Sequence, residues 1–206
     1  ADWRLSMVRF SGVDPAWKRA SVALAVALAF VLFSAVAGAS EEREFLGAAA
    51  GRRLAIRIMS REISAAMTPW KIPRPVRKAT DYSRHVWDAC EKYGLDPFLV
   101  AALICVESEG RADAVNQSRV GLMQVNVQEN MGWITRHFPQ VKTVDHLKKP
   151  RNNVMAGTFA LSVAMEGAGG AREALCDYLG VNDDRRVDRI FAVVDRMNIA
   201  ASAAGK

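Results

Sequence analysis

Between Asp96 and Gly110 the chain places one carboxylate where a carboxylate is costly. Asp96 has the side chain of a helix N-cap, Pro97 suits a first helical position, and Gly110 can adopt the left-handed conformation that stops a helix. Phe98, Leu99, Val100, Ala101, Ala102, Leu103, Ile104, Cys105 and Val106 lie between, apolar on every side, which predicts a helix buried in the core. Glu107 sits at the end of that run. Desolvation and the negative end of the helix dipole both oppose its ionisation, so a raised pKa is expected if it faces a cleft. A carboxyl group still protonated near neutral pH is a general acid. The same Glu is also compatible with an ordinary solvated last turn.

General-acid cleavage of a glycosidic bond usually needs a second carboxylate as base or nucleophile. Glu109 is two positions from Glu107 and would project from nearly the opposite side of a helix, so the two cannot share one cleft. Asp113 and Glu129 reach Glu107 only if loops fold back. His85, His137 and His146 are scattered, no Cys pair has ligand spacing, and there is no Gly-rich phosphate loop. No metal and no cofactor are expected.

Tyr93-Gly94-Leu95-Asp96-Pro97, Ala102-Leu103-Ile104, Val106-Glu107-Ser108 and Gly121-Leu122-Met123-Gln124 occur in this order and spacing. Together they resemble the lytic transglycosylase domain of the soluble-transglycosylase type, which is related to goose-type lysozymes. Pro150, Asn153, Gly157 and Ala174-Leu175 continue the likeness, which covers about residues 81 to 197. The resemblance implies non-hydrolytic cleavage of the β-1,4 bond between N-acetylmuramic acid and N-acetylglucosamine in peptidoglycan. In that chemistry one Glu protonates the leaving oxygen and then accepts the proton of the muramic C6 hydroxyl, which attacks C1 to give a 1,6-anhydro sugar. Intramolecular attack replaces an external water, so effective concentration substitutes for a second carboxylate. By resemblance Glu107 is the catalytic residue, and Ser108, Gly121, Gln124 and Tyr178 are substrate-binding. Ser108 would donate to substrate or orient the site, although Ser in a last turn can also bond its own backbone. Gly121 would let backbone approach the glycan, and Gln124 would hold a sugar hydroxyl or amide. Tyr178 falls in Cys176-Asp177-Tyr178-Leu179-Gly180, where Leu179 replaces the family's Asn and Asp177 its small residue. Two other functions stay open: a hydrolytic muramidase on the same fold, and a non-catalytic peptidoglycan-binding or secretion accessory protein.

The elements that must position these residues read as helices throughout. Helices are predicted over 82–93 (capped by Asp81, closed by Gly94), 97–107, 121–127, 131–138, 153–165, 172–179 and 185–199, with 111–120 a polar connection and 200–206 a frayed tail. No stretch alternates as a strand does, so the class is all-α: a lysozyme-like domain over 81–199.

In front of it lie two other segments. Residues 20–39 carry no charge, follow Lys18-Arg19 and end at Ala37-Gly38-Ala39, which suits a transmembrane anchor or a cleaved signal peptide equally. Residues 40–80 are basic and interrupted by Pro69, Pro73 and Pro75, and read as a solvated stalk with some helical character. The formal charge of +6 is concentrated there: residues 41–80 hold 9 basic and 4 acidic side chains, whereas residues 81–206 hold 15 and 16. The near-neutral domain argues against a nucleic-acid partner. The expected partners are peptidoglycan strands, an inner-membrane anchor and secretion-system components, in the periplasm or cell envelope. Cys90, Cys105 and Cys176 allow three pairings, with a buried inert thiol the favoured role for each.

Overall fold

The computed structural model describes residues 48–180 and 183–204. A compact unit spans Ala50–Lys206; the rest of the chain, Ala1–Ala49, lies outside the described residues except for 48 and 49. The signal or anchor expected at 20–39 and the start of the basic segment therefore also lie outside. Among the described residues, no helix is long and apolar enough to cross a membrane.

Helix α1 occupies the described residues 48–66 and is followed by the 3-10 turn Thr68–Trp70. Then come α2 (Pro75–Tyr93), α3 (Pro97–Glu107), the short strands β1 (Val115–Asn116), β2 (Arg119–Val120) and β3 (Val125–Asn126), α4 (Val127–His137), α5 (Val144–Leu147), α6 (Pro150–Gly167), α7 (Ala171–Leu179) and α8 (Asp184–Ala204). The fold is mainly helical, as expected. α3 has the predicted punctuation: the Asp96 carboxylate accepts from the Phe98 N–H at 2.8 Å, and Pro97 is its first residue. It ends at Glu107, capped by the Ser108 N–H on the Ile104 carbonyl, and Gly110 takes its positive φ of 72° in the turn beyond.

Residues Leu99 to Cys105 are all buried, without a polar face, and α8 is the principal neighbour of α3. α2 buries Ala79, Tyr82, Ser83, Val86, Ala89 and Cys90, the i, i+3, i+4, i+7 stripe of an amphipathic helix, mainly against α6. Gly94 closes α2 in the left-handed conformation.

The structure departs from the sequence expectations in four places. Residues 58–67 are not a solvated stalk: Met59, Ile63 and Met67 have no exposed surface and belong to the same core as α3. Arg52, Arg53, Arg57 and Arg61 made the segment look wet, but arginines on one side of a helix leave the other side free to bury. The Pro-rich stretch is a turn, with Pro75 as the first residue of α2, seven residues earlier than expected from Asp81. The helix expected over 121–127 does not form: only Val127 is helical, as the first residue of α4. Residues 121–124 are a turn inside a three-stranded antiparallel sheet with register Val115↔Val120 and Asn116↔Arg119, then Arg119↔Asn126 and Val120↔Val125. Two-residue strands are too short to display alternation. Finally, α8 continues through Ala204 where a frayed tail was expected.

Cys90 and Cys105 are buried thiols, so none of the three disulfide pairings is formed. Burial pushes both thiols up to about 12, which keeps them protonated and inert.

The placement of α1 has a measurable consequence. Ile63→Ala is expected to cost about 2–5 kcal/mol, the range for emptying a packed core site. A stalk position would change stability by no more than about 0.5 kcal/mol. Urea denaturation of the two proteins decides between these values.

Candidate active site

Glu107 is the last residue of α3, and its side chain retains 6 % of its exposure. Its pKa is raised, first by desolvation, and Asp183 adds to the rise. Arg186, Arg119 and Arg189 pull in the opposite direction without cancelling it. Arg186 Nη1 lies 3.7 Å from Glu107 Oε1, near enough for attraction but too long for a hydrogen bond. The arginine is held from the other side by Asp183, whose Oδ2 is 3.5 Å from Arg186 Nε and whose Oδ1 accepts from the Arg186 N–H at the start of α8. Glu107 thus keeps both protonation states within reach: burial favours the acid, and three guanidinium groups limit the cost of the anion.

The turn 121–124 is fixed by side chains from distant elements, two of which, Arg119 and Tyr178, also interact electrostatically with Glu107. Asn153 on α6 is fully buried; its Oδ1 accepts from the Met123 N–H at 2.8 Å and its Nδ2 donates to the Val120 carbonyl at 2.8 Å. Gly121 is required for this approach: at φ 80°, a Cβ would lie 2.2 Å from Asn153 Nδ2. Gln124 has φ 51° and only 3 % exposure, and its Nε2 donates to the Ala114 and Gly121 carbonyls. Arg119 donates to the Gln124 carbonyl and to the Leu179 carbonyl, tying β2 and the turn to the C-terminal end of α7. Tyr178 Oη donates to the Met123 carbonyl at 2.9 Å, and its pKa is raised by burial and then by the charge of Glu107. Gly157 on α6 makes room for this contact, since a Cβ there would be 2.7 Å from Met123 Sδ and 3.1 Å from Tyr178 Oη.

The expected residues are therefore brought to one region, and several of them also have partners inside the protein. Ser108 is fully buried and its hydroxyl donates to the Ile104 carbonyl at 3.2 Å, so its proton serves its own helix. Gln124 uses its amide nitrogen to hold the loop, and Gly121 admits Asn153. Leu179 is wholly buried, which accounts for an apolar residue where the family has Asn. Neither Asp113 nor Glu129 acts on Glu107; the carboxylate it feels is Asp183. Asp183, Arg186 and Arg119 were not anticipated, because each is an unremarkable charge in a polar stretch until the fold closes. Among the described residues, no group of His, Cys, Asp and Glu could hold a metal.

The profile described as Transglycosylase SLT domain matches residues 86–192, just over half of the chain. The chain belongs to the transglycosylase SLT-domain family. Its matched segment begins in α2 and ends in α8, so it encloses Glu107, the turn 121–124, Asn153 and Tyr178. The chain is similar to proteins named endo-type membrane-bound lytic murein transglycosylase A in Salmonella paratyphi B and Salmonella typhimurium, with 35 % identity over 107 residues in each case. That alignment covers 48 % of this chain and 50 % of each relative, so the chain spans about half the length of the curated relatives it matches. α1 and the Thr68–Trp70 turn lie outside the family match.

Two variants test the site as built. Asn153→Ala leaves the Met123 N–H and the Val120 carbonyl buried without partners and is expected to cost roughly 1–3 kcal/mol for each group left unpaired; urea unfolding measures it. For Glu107 the sign follows from its raised pKa. Above the ordinary carboxyl range the native state binds this proton more tightly than the unfolded state does. The stabilising effect of protonation is present at low pH and is lost as pH rises through the raised value. Glu107→Gln removes the charge, so its Tm is expected to exceed that of the native protein at neutral pH and the gap to close below about pH 4. A gap that does not change with pH would show that Glu107 does not titrate with folding.

Proposed function

We propose that this protein is a peptidoglycan lytic transglycosylase that cleaves the MurNAc-β-1,4-GlcNAc bond and leaves 1,6-anhydroMurNAc ends, with Glu107 as acid and then base. The observation that carries the reading is the state of Glu107: a desolvated carboxyl with a raised pKa, at the end of a buried helix, inside the segment that matches the family. Protonated, it donates to the glycosidic oxygen. The resulting carboxylate is stabilised by Arg186, Arg119 and Arg189 while it accepts the C6 hydroxyl proton. That proton returns Glu107 to its starting state, and no water enters the balance.

A single carboxylate suffices because the nucleophile belongs to the sugar whose bond is broken. Asp183, the carboxylate Glu107 feels, is bound to Arg186 and to the α8 backbone, which suits it poorly to act as a second base. This favours the transglycosylase over a hydrolytic muramidase, whose base would have to activate water. Tyr178 and Arg119 are positioning residues: they hold the turn 121–124 and the end of α7, and neither carries the reaction's proton. The names of the relatives further support an enzyme of the cell envelope, exported or anchored through residues 20–39 and acting on peptidoglycan strands. Service to a secretion system has no support beyond the sequence resemblance.

Incubation with peptidoglycan sacculi followed by mass spectrometry of the released fragments tests the proposal. Anhydromuropeptides are expected from the native protein, and Glu107→Gln should reduce their release by at least about 100-fold, the lower range for losing a general acid. Reducing-end sugars instead would establish hydrolysis; a folded protein that releases neither would sink both enzyme readings.

The pH profile adds a second test. Arg186 opposes the rise in the Glu107 pKa, so Arg186→Ala should move the alkaline limb of the activity profile to higher pH, since the acid then survives longer. A shift to lower pH would contradict the assignment of Glu107 as the acid.

A further inference from the structure

The turn that leaves Glu107 supports a second constellation, which the cleavage chemistry does not use. Trp70 keeps 46 % of its surface exposed, yet it is firmly held. Its indole N–H donates to Glu109 Oε2 at 2.6 Å, and the Arg111 guanidinium lies 3.8 Å over the ring. Arg111 in turn donates through Nε to the Ser108 carbonyl at 3.2 Å. The residues that fix Trp70 thus come from the four that follow the proposed acid. Lys71 and Glu109 both have positive φ, 49° and 52°, in a region that residues other than glycine rarely occupy, so the backbone accepts strain on both sides of this contact.

Trp70 forms a wall of a cavity of about 440 Å³, shared with Lys71, Lys78, Tyr82, Arg111 and Asp113. That volume is within the ~300–1,000 Å³ usual for ligand sites. Among the described residues, neither Lys71 nor Lys78 has an ion-pair partner, so the lining has more positive than negative charge. Arg111 covers one face of the indole, and what remains exposed of this immobilised ring suits the C–H face of a pyranose, whose partial positive charge meets the negative face of the π system. Two cations beside it suit carboxylates carried on the same strand.

We infer that this cavity is a binding subsite for carboxylate-bearing amino-sugar strands, with Trp70 as the stacking platform and Lys71 and Lys78 as carboxylate contacts. It rests on the proposal that peptidoglycan is the substrate. Trp70, Lys71, Lys78 and Tyr82 all precede the segment matched by the family, so this wall of the subsite is an addition that the Thr68–Trp70 turn and the first part of α2 make to the shared domain.

The test uses the full chain in a Glu107→Gln background, so that strands stay intact, with a soluble disaccharide-pentapeptide muropeptide titrated by calorimetry. Trp70→Ala is expected to weaken binding by about tenfold, the scale of one lost aromatic stack. Trp70→Phe should keep most of the affinity, and Lys71→Ala/Lys78→Ala should weaken binding less as salt is added. An unchanged Kd in a Trp70→Ala protein of native Tm overturns the subsite. Should Trp70→Ala fail to fold, an unchanged Kd in the double lysine variant does the same, as does failure of the Glu107→Gln chain to bind the muropeptide at all. Anhydromuropeptide release by the native chain separates the two proposals: release with no effect of Trp70 removes the subsite alone, and absence of release removes the transglycosylase.

Discussion

The structure depends on a conflict between the burial of α3 and the charge at its end. A helix apolar on every face, from Leu99 to Cys105, has to be enclosed on all sides. α8 and the other elements of the core provide that enclosure, and in doing so they take water away from the Glu107 side chain. Isolated, a buried carboxylate would simply stay protonated. Three arginines from β2 and α8 oppose the rise in the Glu107 pKa, and the acid-then-base role proposed for Glu107 needs such a balance.

Holding the turn 121–124 requires a different solution. This turn leaves backbone groups that no helix or ladder satisfies, and three of them are paired from elsewhere: the Met123 N–H by Asn153 of α6, the Gln124 carbonyl by Arg119 of β2 and the Met123 carbonyl by Tyr178 of α7. Gly121 and Gly157 are the spaces that let those side chains arrive. Three elements are coupled to one short turn, so its geometry is determined by packing rather than by local preference. This also explains why Ser108 and Gln124 are internal. They are part of the frame.

The basic segment before α2 adds to this domain in two ways. Its apolar side supplies Met59, Ile63 and Met67 to the core, with Ile63 and Met67 closing over Gly110 just beyond the acid. Its end supplies Trp70, which Glu109 and Arg111 hold in place. Residues that look like a linker by composition are therefore joined directly to the turn that follows Glu107.

Local signals were sufficient for α3. Asp96, Pro97 and an unbroken apolar run specify a buried helix ending at a Glu, because capping and burial preference act within a few residues of sequence. The helices α4, α6 and α7 were legible for the same reason, within a few residues at their ends. The ordered motifs Tyr93–Pro97, Ala102–Ile104, Val106–Ser108 and Gly121–Gln124 were enough to name the family. What the sequence alone could not determine depends on contacts between distant positions. Arginines at 52, 53, 57 and 61 signal solvent, and only the core on the far side of α1 shows that the helix is buried. Strands of two residues are too short to show a period. The partners of Glu107 come from β2 and α8, about 12 to 80 residues away in the chain, and charge at such separations acquires meaning only when folding brings it within a few ångströms of a desolvated carboxyl.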